Sequence, residues 1–263
     1  MNILDHNRLA WNHEVQTGNI YTIPVTKNEM TAAFKGEYKI ILTPTKPVPA
    51  DWLGDIRGKQ VLCLASGGGQ QGPILAAAGA EVTVFDNSDE QLKRDSQMAE
   101  EYHLSLKVVR GNMQDLGCFP DGSFDLIVHP VSNCFIDDIL PVWKECYRVL
   151  RSPGRLLSGF NNPLTYAIDL EEARKSGRCE IKNALPYSDL KSLPPQEIQR
   201  YIDENIPLEF GHTLADQIGG QIAAGFLIAG FYEDKGEELL DAYVDSYIAT
   251  KAIKVEITKA YEV

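Results

Sequence analysis

From residue 61 onward the chain alternates between short unbroken apolar runs and longer stretches with helical spacing. Val61–Leu64 carries no polar interruption, the pattern of a strand covered on both faces. A small-residue helix follows through Ile74–Ala78, with Gly79 at its C-terminal cap. Val82–Phe85 is the next strand. Ser88 and Gln91 have capping-box spacing and open a helix running to about His103. Leu106–Val109 and Phe124–Val128 are the third and fourth strands. A helix around Ile139–Leu150 has Pro141 in its first turn and Val142, Cys146 and Val149 on one face. Pro153-Gly154 reads as a turn, with a fifth strand beginning at Leu156.

Strands alternating with helices predict a mostly parallel sheet, because right-handed crossovers leave few other arrangements. The expectation is an α/β, doubly wound, Rossmann-like sheet of seven strands in a single domain. Residues 1–50 form a partly helical arm that ends in the proline-rich connector Thr43–Pro49. Residues 51–160 form the core. Residues 161–207 break the rhythm, are richer in polar residues and proline, and read as an insertion capping a substrate. Residues 208–263 complete the sheet with a helix capped by Thr213, a strand at Phe226–Glu233 and an antiparallel last strand at Tyr247–Val255.

Composition narrows the partners. The 263 residues carry 25 Lys+Arg against 37 Asp+Glu, a formal net charge of −12, which disfavours a broad nucleic-acid surface. The apolar stretch Ile222–Tyr232 is much shorter than the roughly 20 residues of a membrane span. Five scattered cysteines without a Cys-x-x-Cys pair, and an N-terminus without a basic flank and apolar block, fit reduced thiols in a cytoplasmic protein. No His or Cys pair has metal-ligand spacing. A small-molecule substrate is the expected partner, and oligomeric state is open.

Gly67–Gly72 satisfies G-x-G-x-x-G between a strand and a helix, where a tight turn must bring the main chain close to a ligand. Asp86 ends the next strand, and a carboxylate there can accept hydrogen bonds from two ribose hydroxyls. The turn alone does not choose between a dinucleotide and another adenosine cofactor.

Several further motifs stand in order beyond the turn. Val61–Gly69, Val84–Ser88, Gly111–Leu116, Ser123–His129 and Tyr147–Leu157 together resemble the successive motifs of class I S-adenosylmethionine-dependent methyltransferases, in the small-molecule group typified by ubiquinone biosynthesis. The resemblance implies S-adenosyl-L-methionine as cofactor. It places Ala65, Gly67 and Gly69 against the methionyl part, Asp86 on the ribose, and Asn87, Asn112 and Met113 around the adenine. The family usually has an acid where Cys63 stands, a glycine where Ala65 stands and often an aspartate where Asn112 stands.

Methyl transfer needs alignment, exclusion of water and sometimes removal of a proton, so no fixed triad is expected. His129, just past strand four, is the candidate nearest the transfer centre, either as a proton acceptor or through its backbone carbonyl beside the cofactor's ammonium. His212 is a second candidate base or substrate ligand; the alternative is a structural histidine at a strand end. Asn133 either orients substrate or caps a helix. Gln217 and Gln221 share a helical face beside Gly219-Gly220 that either packs closely under the site or, as is commoner for such a face, is solvated. Trp11, Tyr21, Phe34, Tyr166 and Tyr187 could cap the sulfonium or fill the core. An NAD-dependent oxidoreductase and a non-catalytic S-adenosylmethionine-binding sensor or partner subunit remain as alternatives.

Overall fold

The computed structural model describes residues 2–255. Seven strands form the main sheet: β1 (Gln60–Leu64), β2 (Glu81–Asp86), β3 (Leu106–Arg110), β4 (Phe124–His129), β5 (Leu150–Asn161), β6 (Leu227–Asp234) and β7 (Tyr247–Lys254). Their order is β3-β2-β1-β4-β5-β7-β6, with β7 antiparallel to both neighbours. The chain winds outward from β1 in one direction and resumes at β4 in the other. That reversal opens a crevice beyond the C-terminal ends of β1 and β4, where open α/β sheets bind ligands.

The unbroken apolar runs have a simple cause. Val61 and Cys63 point into one packed layer with Leu92 and Met98, while Leu62 and Leu64 point into another with Trp143 and Val142. A strand buried on both faces cannot alternate with polar residues without leaving them unsolvated.

Flanking helices carry the predicted caps. They are α1 (Ile3–Thr17), α2 (Lys27–Ala33), α3 (Gln71–Ala77), α4 (Asp89–Tyr102), α5 (Leu140–Val149) and α6 (Pro195–Asp203). The Ser88 side chain accepts from Gln91 N at the start of α4, and His103 ends that helix in the left-handed conformation. Short helical turns and a two-stranded ribbon, 187–188 against 210–211, occupy the region between β5 and β6. None of the described helices is long and apolar enough to cross a membrane.

Two local expectations change. Pro153-Gly154 does not precede β5; it lies inside it, where the ladder jumps from Phe124↔Leu150 to Leu126↔Arg155. The extra residues bulge out of the pairing and locally look like a turn in sequence. Gln217 and Gln221 are buried, not solvated. Gln221 donates to Gln217 O at 2.9 Å and accepts from Thr250 at 3.0 Å, so the polar groups of that face are satisfied internally.

The arm returns along the sheet before β1 begins. Its connector is fastened by Asp234 at the end of β6, which accepts from Thr43 Oγ1 at 2.7 Å and from the backbone N–H groups of Thr45 and Lys46 at 2.9 Å each. Burial works against this carboxylate, but the hydrogen bonds from Thr45, Lys46 and Thr43 outweigh it and hold its pKa down at about 2.

Candidate cofactor and acceptor site

The turn after β1 is shaped by backbone demands. Ala65 has φ +46° and donates to Phe85 O at 2.7 Å; Gly68 and Gly69 follow at +106° and +76°. Gly67 has no room for a side chain, since a Cβ would stand 2.8 Å from Gln91 Cβ and 3.2 Å from the Asp86 carboxyl carbon. The Asp86 carboxylate accepts from Gly67 N with one oxygen and Ser88 N with the other, each at 2.9 Å. Burial pushes its pKa up, partly opposed by the N–H groups of Ser88, Gly67 and Asn87. Each oxygen keeps a second lone pair, enough for a pair of vicinal hydroxyls.

Asp95 is a member of this turn that sequence reading missed. It accepts from Gly68 N at 2.9 Å, and burial raises its carboxyl to about 8. The signal was present: Asp95 sits between Leu92 and Met98 on the inner stripe of α4, where an acid has no place unless it serves a partner.

Over the turn lies a cavity of about 510 Å³, within the range of roughly 300–1000 Å³ usual for small-molecule sites. Ala65, Gly67, Asp86, Asn87, Asn112 and Met113 all line it. Asn112 Oδ1 accepts from Gln114 N at 3.0 Å, while Asn87 donates to Leu4 O at 2.8 Å, so each amide is already oriented. Gly69 is not among the lining residues; it underlies the arm and accepts from Val25 N at 3.0 Å.

The roof is α1. Its buried side carries His6 and Asn7 beside the apolar Ala10 and Val15, and the two polar side chains dock by hydrogen bonds. Asn7 donates to Phe135 O and Leu208 O and accepts from Leu208 N, at 2.8–3.0 Å. Asn12 accepts from Ser88 Oγ at 2.7 Å and Glu90 N at 3.1 Å. Trp11 meets Phe135 edge-on at 4.9 Å, and Trp11 and Tyr21 both line the cavity. Phe34 is exposed instead. Tyr166 and Tyr187 stack on each other at 5.5 Å behind the wall.

The far end lies over the C-terminal end of β4, the end of β5 and the start of β7, lined by Ser132, Cys134, Asn161, Glu209 and Tyr247. Glu209 accepts from the Tyr166 hydroxyl at 2.7 Å, and that hydroxyl accepts from Asn161 Nδ2 at 2.7 Å. Burial raises the Glu209 carboxyl to about 7; the Tyr166 hydrogen bond lowers it and the nearby Asp189 raises it. From sequence, Asn161 reads either as bordering substrate or as a plain turn and Tyr166 as cap or core, while Glu209 carries no signal, because the members are far apart along the chain and share no motif.

The two histidines stand outside the cavity lining. His129 is completely buried, with Nδ1 2.9 Å from Leu64 O and Nε2 2.5 Å from Asn133. Burial lowers its pKa, opposed by these two contacts, and both ring nitrogens are engaged by oxygen atoms of the protein. The Asn133 amide faces the ring with its Oδ1 and donates from Nδ2 to Gln217 Oε1 at 2.9 Å. His129 thus ties β1 to the turn after β4, with no ring nitrogen left for a substrate proton. His212 Nε2 donates to Asn133 O and Ile136 O, both at 3.0 Å, and holds the same turn from the other side. The sequence expectation of proton transfer at either ring therefore does not fit the geometry: β4 ends one residue before the cavity wall, which begins at Pro130.

The site accommodates S-adenosylmethionine on its own features. A glycine main chain lies flush with the cavity, a carboxylate has free lone pairs, and Ser66 Oγ is buried in the wall without a hydrogen-bond partner. A model of a methyltransferase domain matches residues 62–158, the span from β1 to β5. The chain is 51% identical over 253 residues to YbaJ of Bacillus subtilis (strain 168), an uncharacterized methyltransferase, covering 96% of this chain and 99% of the relative. It is 26% identical over 161 residues to a ubiquinone biosynthesis O-methyltransferase of Xanthomonas oryzae, covering 59% of this chain and 66% of that one. Among solved structures, an S-adenosylmethionine-dependent methyltransferase from Mesorhizobium loti superposes with a TM-score of 0.59 at 16% identity, covering 77% of this chain and 94% of that one. A geranyl diphosphate C-methyltransferase from Streptomyces coelicolor A3(2), crystallised with Mg²⁺, geranyl diphosphate and S-adenosylhomocysteine, also gives 0.59, at 14% identity over 97% and 99% of the two chains. The adenosine ligand of the glycine turn is therefore the methyl donor rather than a dinucleotide, and the chain belongs to the class I S-adenosylmethionine-dependent methyltransferases.

Proposed function

We propose that this methyltransferase acts on a small molecule enclosed beneath α1, with the cofactor over β1 and β2 and the acceptor over β4, β5 and β7. The observation that carries the reading is one continuous cavity whose lining runs from Gly67 and Asp86 to Asn161 and Glu209. In this reading Asp86 grips the ribose, Ala65 and Gly67 border the methionyl part, and Asn87, Asn112 and Met113 surround the adenine. Bound S-adenosylmethionine supplies a methyl group on a positively charged sulfur. The chain's part is to align the acceptor and exclude water, which Trp11, Tyr21 and Phe135 do by closing the cavity from above. Residues 1–50 act as a lid on a core of residues 51–160, and residues 161–207 help to enclose the acceptor.

A roofed cavity and a net charge of −12 disfavour RNA or DNA as acceptor. The free thiols, three of them buried, suit the cytoplasm. The test is calorimetric titration with S-adenosylhomocysteine and, in parallel, NADH, followed by transfer of tritiated methyl groups in a cell extract. Binding of the former alone, with label passing into the filterable small-molecule fraction, is the expected result. Label retained on protein or nucleic acid overturns the acceptor class.

A further inference from the structure

Charge along the cavity, cofactor and acceptor ends together, is of one sign. Among the described lining residues there is no Lys, Arg or His, whereas Glu14, Asp86 and Glu209 contribute carboxyl groups. A carboxylate or phosphate on the acceptor would lie there without a cation to balance its charge, an expensive exchange. Asn161 adds a second requirement. Its Nδ2 is spent on Tyr166, and its Oδ1 is buried without a partner. A buried acceptor oxygen in a cavity wall calls for a donor on whatever occupies the cavity.

We infer that Glu209 is the proton-accepting residue of this enzyme, and that the methyl acceptor is an uncharged or cationic molecule presenting an N–H or O–H group to Glu209 and Asn161. This rests on the cofactor lying over Asp86 in the same cavity. Tyr166 donates to Oε2 of Glu209 and so fixes the carboxylate, leaving Oε1 to receive the acceptor's proton. In the reaction the lone pair of the neutral acceptor, or of a cationic one after it has given a proton to Oε1, forms the bond to the methyl carbon as the carbon–sulfur bond breaks, with that bond's electron pair remaining on sulfur. The acceptor's proton passes to Oε1, so charge balances without any other reactant. A base that titrates near neutrality is suited to this task, and Glu209 stands at about 7. The groups facing it are Asp189, the Tyr166, Tyr187, Tyr201 and Tyr247 hydroxyls and the Cys134 thiol. None of these is a cation, so none stabilises the anion by charge.

The test uses wild-type and Glu209→Gln proteins saturated with S-adenosylhomocysteine and titrated with benzylamine, phenol and benzoate. These probes share one ring and differ in donor and charge. Wild type should take up benzylamine and phenol at least about tenfold more tightly than benzoate, and the glutamine variant should lose most of that preference. In ¹³C NMR the Glu209 carboxyl should titrate near neutrality, and its midpoint should fall when benzylamine binds. S-adenosylhomocysteine affinity should be unchanged in the variant, which also reports that it is folded. Benzoate binding as well as benzylamine, a preference that survives Glu209→Gln, or a protein that takes up none of the three overturns the inference. Failure to bind S-adenosylhomocysteine at all would instead overturn the cofactor placement on which it rests.

Discussion

Replacing Asp86 by alanine removes one partner from three places at once. Gly67 N and Ser88 N each lose an acceptor now 2.9 Å away, and a bound ribose loses both of its hydrogen-bond acceptors. A buried N–H left unpaired costs about 1–3 kcal/mol, and the space vacated by the carboxylate admits water, so the lower half of that range applies. The free protein should therefore lose about 2–4 kcal/mol of stability, or roughly 5–15 °C in melting temperature for a chain of this size. Binding suffers separately. Two hydroxyl-to-carboxylate hydrogen bonds are charge-assisted, and losing them should weaken S-adenosylhomocysteine by about 2–4 kcal/mol, roughly 30- to 1000-fold. Asp86→Asn separates the contributions: it keeps the volume but turns an NH₂ toward one of the two backbone donors, so binding should fall nearly as far. Calorimetry measures the affinity and scanning fluorimetry the stability. A folded Asp86→Ala protein that binds within about twofold of wild type would refute the ribose assignment. Wild-type affinity carries a further signature. Burial raises the Asp86 pKa, so binding should begin to weaken with falling pH above the ordinary carboxylate range.

Three other outcomes follow from the same geometry. Ala65→Gly should stabilise the protein by roughly 0.5–1 kcal/mol in urea unfolding, because φ +46° is costly for alanine and free for glycine; a loss of stability would contradict this. Asp234 has a folded pKa of about 2, below its ordinary value, so its contribution is complete above the ordinary range and disappears as pH falls through about 4 to 2. Asp234→Asn should then cost about 1–2 kcal/mol at neutral pH and flatten that acid limb in pH-dependent denaturation. Trp11→Ala removes the edge-on contact with Phe135 and opens the roof, so stopped-flow release of S-adenosylhomocysteine should quicken by roughly tenfold with little change in the on-rate.

The sequence alone determined the sheet and the cofactor end of the site. Apolar runs such as Val61–Leu64, the cap at Ser88 and the glycines before Asp86 are local signals, because backbone conformation and two-sided burial constrain residues close together in the chain. The same locality explains the errors. His129 follows a strand and looks exposed from sequence, but the ring turns between β1 and the turn after β4, where Leu64 O and Asn133 occupy both nitrogens. Gln217 and Gln221 match a solvated face until Asn133 and Thr250 reach them from other elements. The acceptor end was decided only by tertiary structure. Asn161, Tyr166 and Glu209 carry no shared spacing, and a carboxyl acquires an unusual pKa from the surroundings that folding assembles around it. Helix α1 likewise has an unremarkable pattern, since its roof position is held by Asn7 and Asn12 bonding to segments distant in sequence, and such bonds leave no periodic trace.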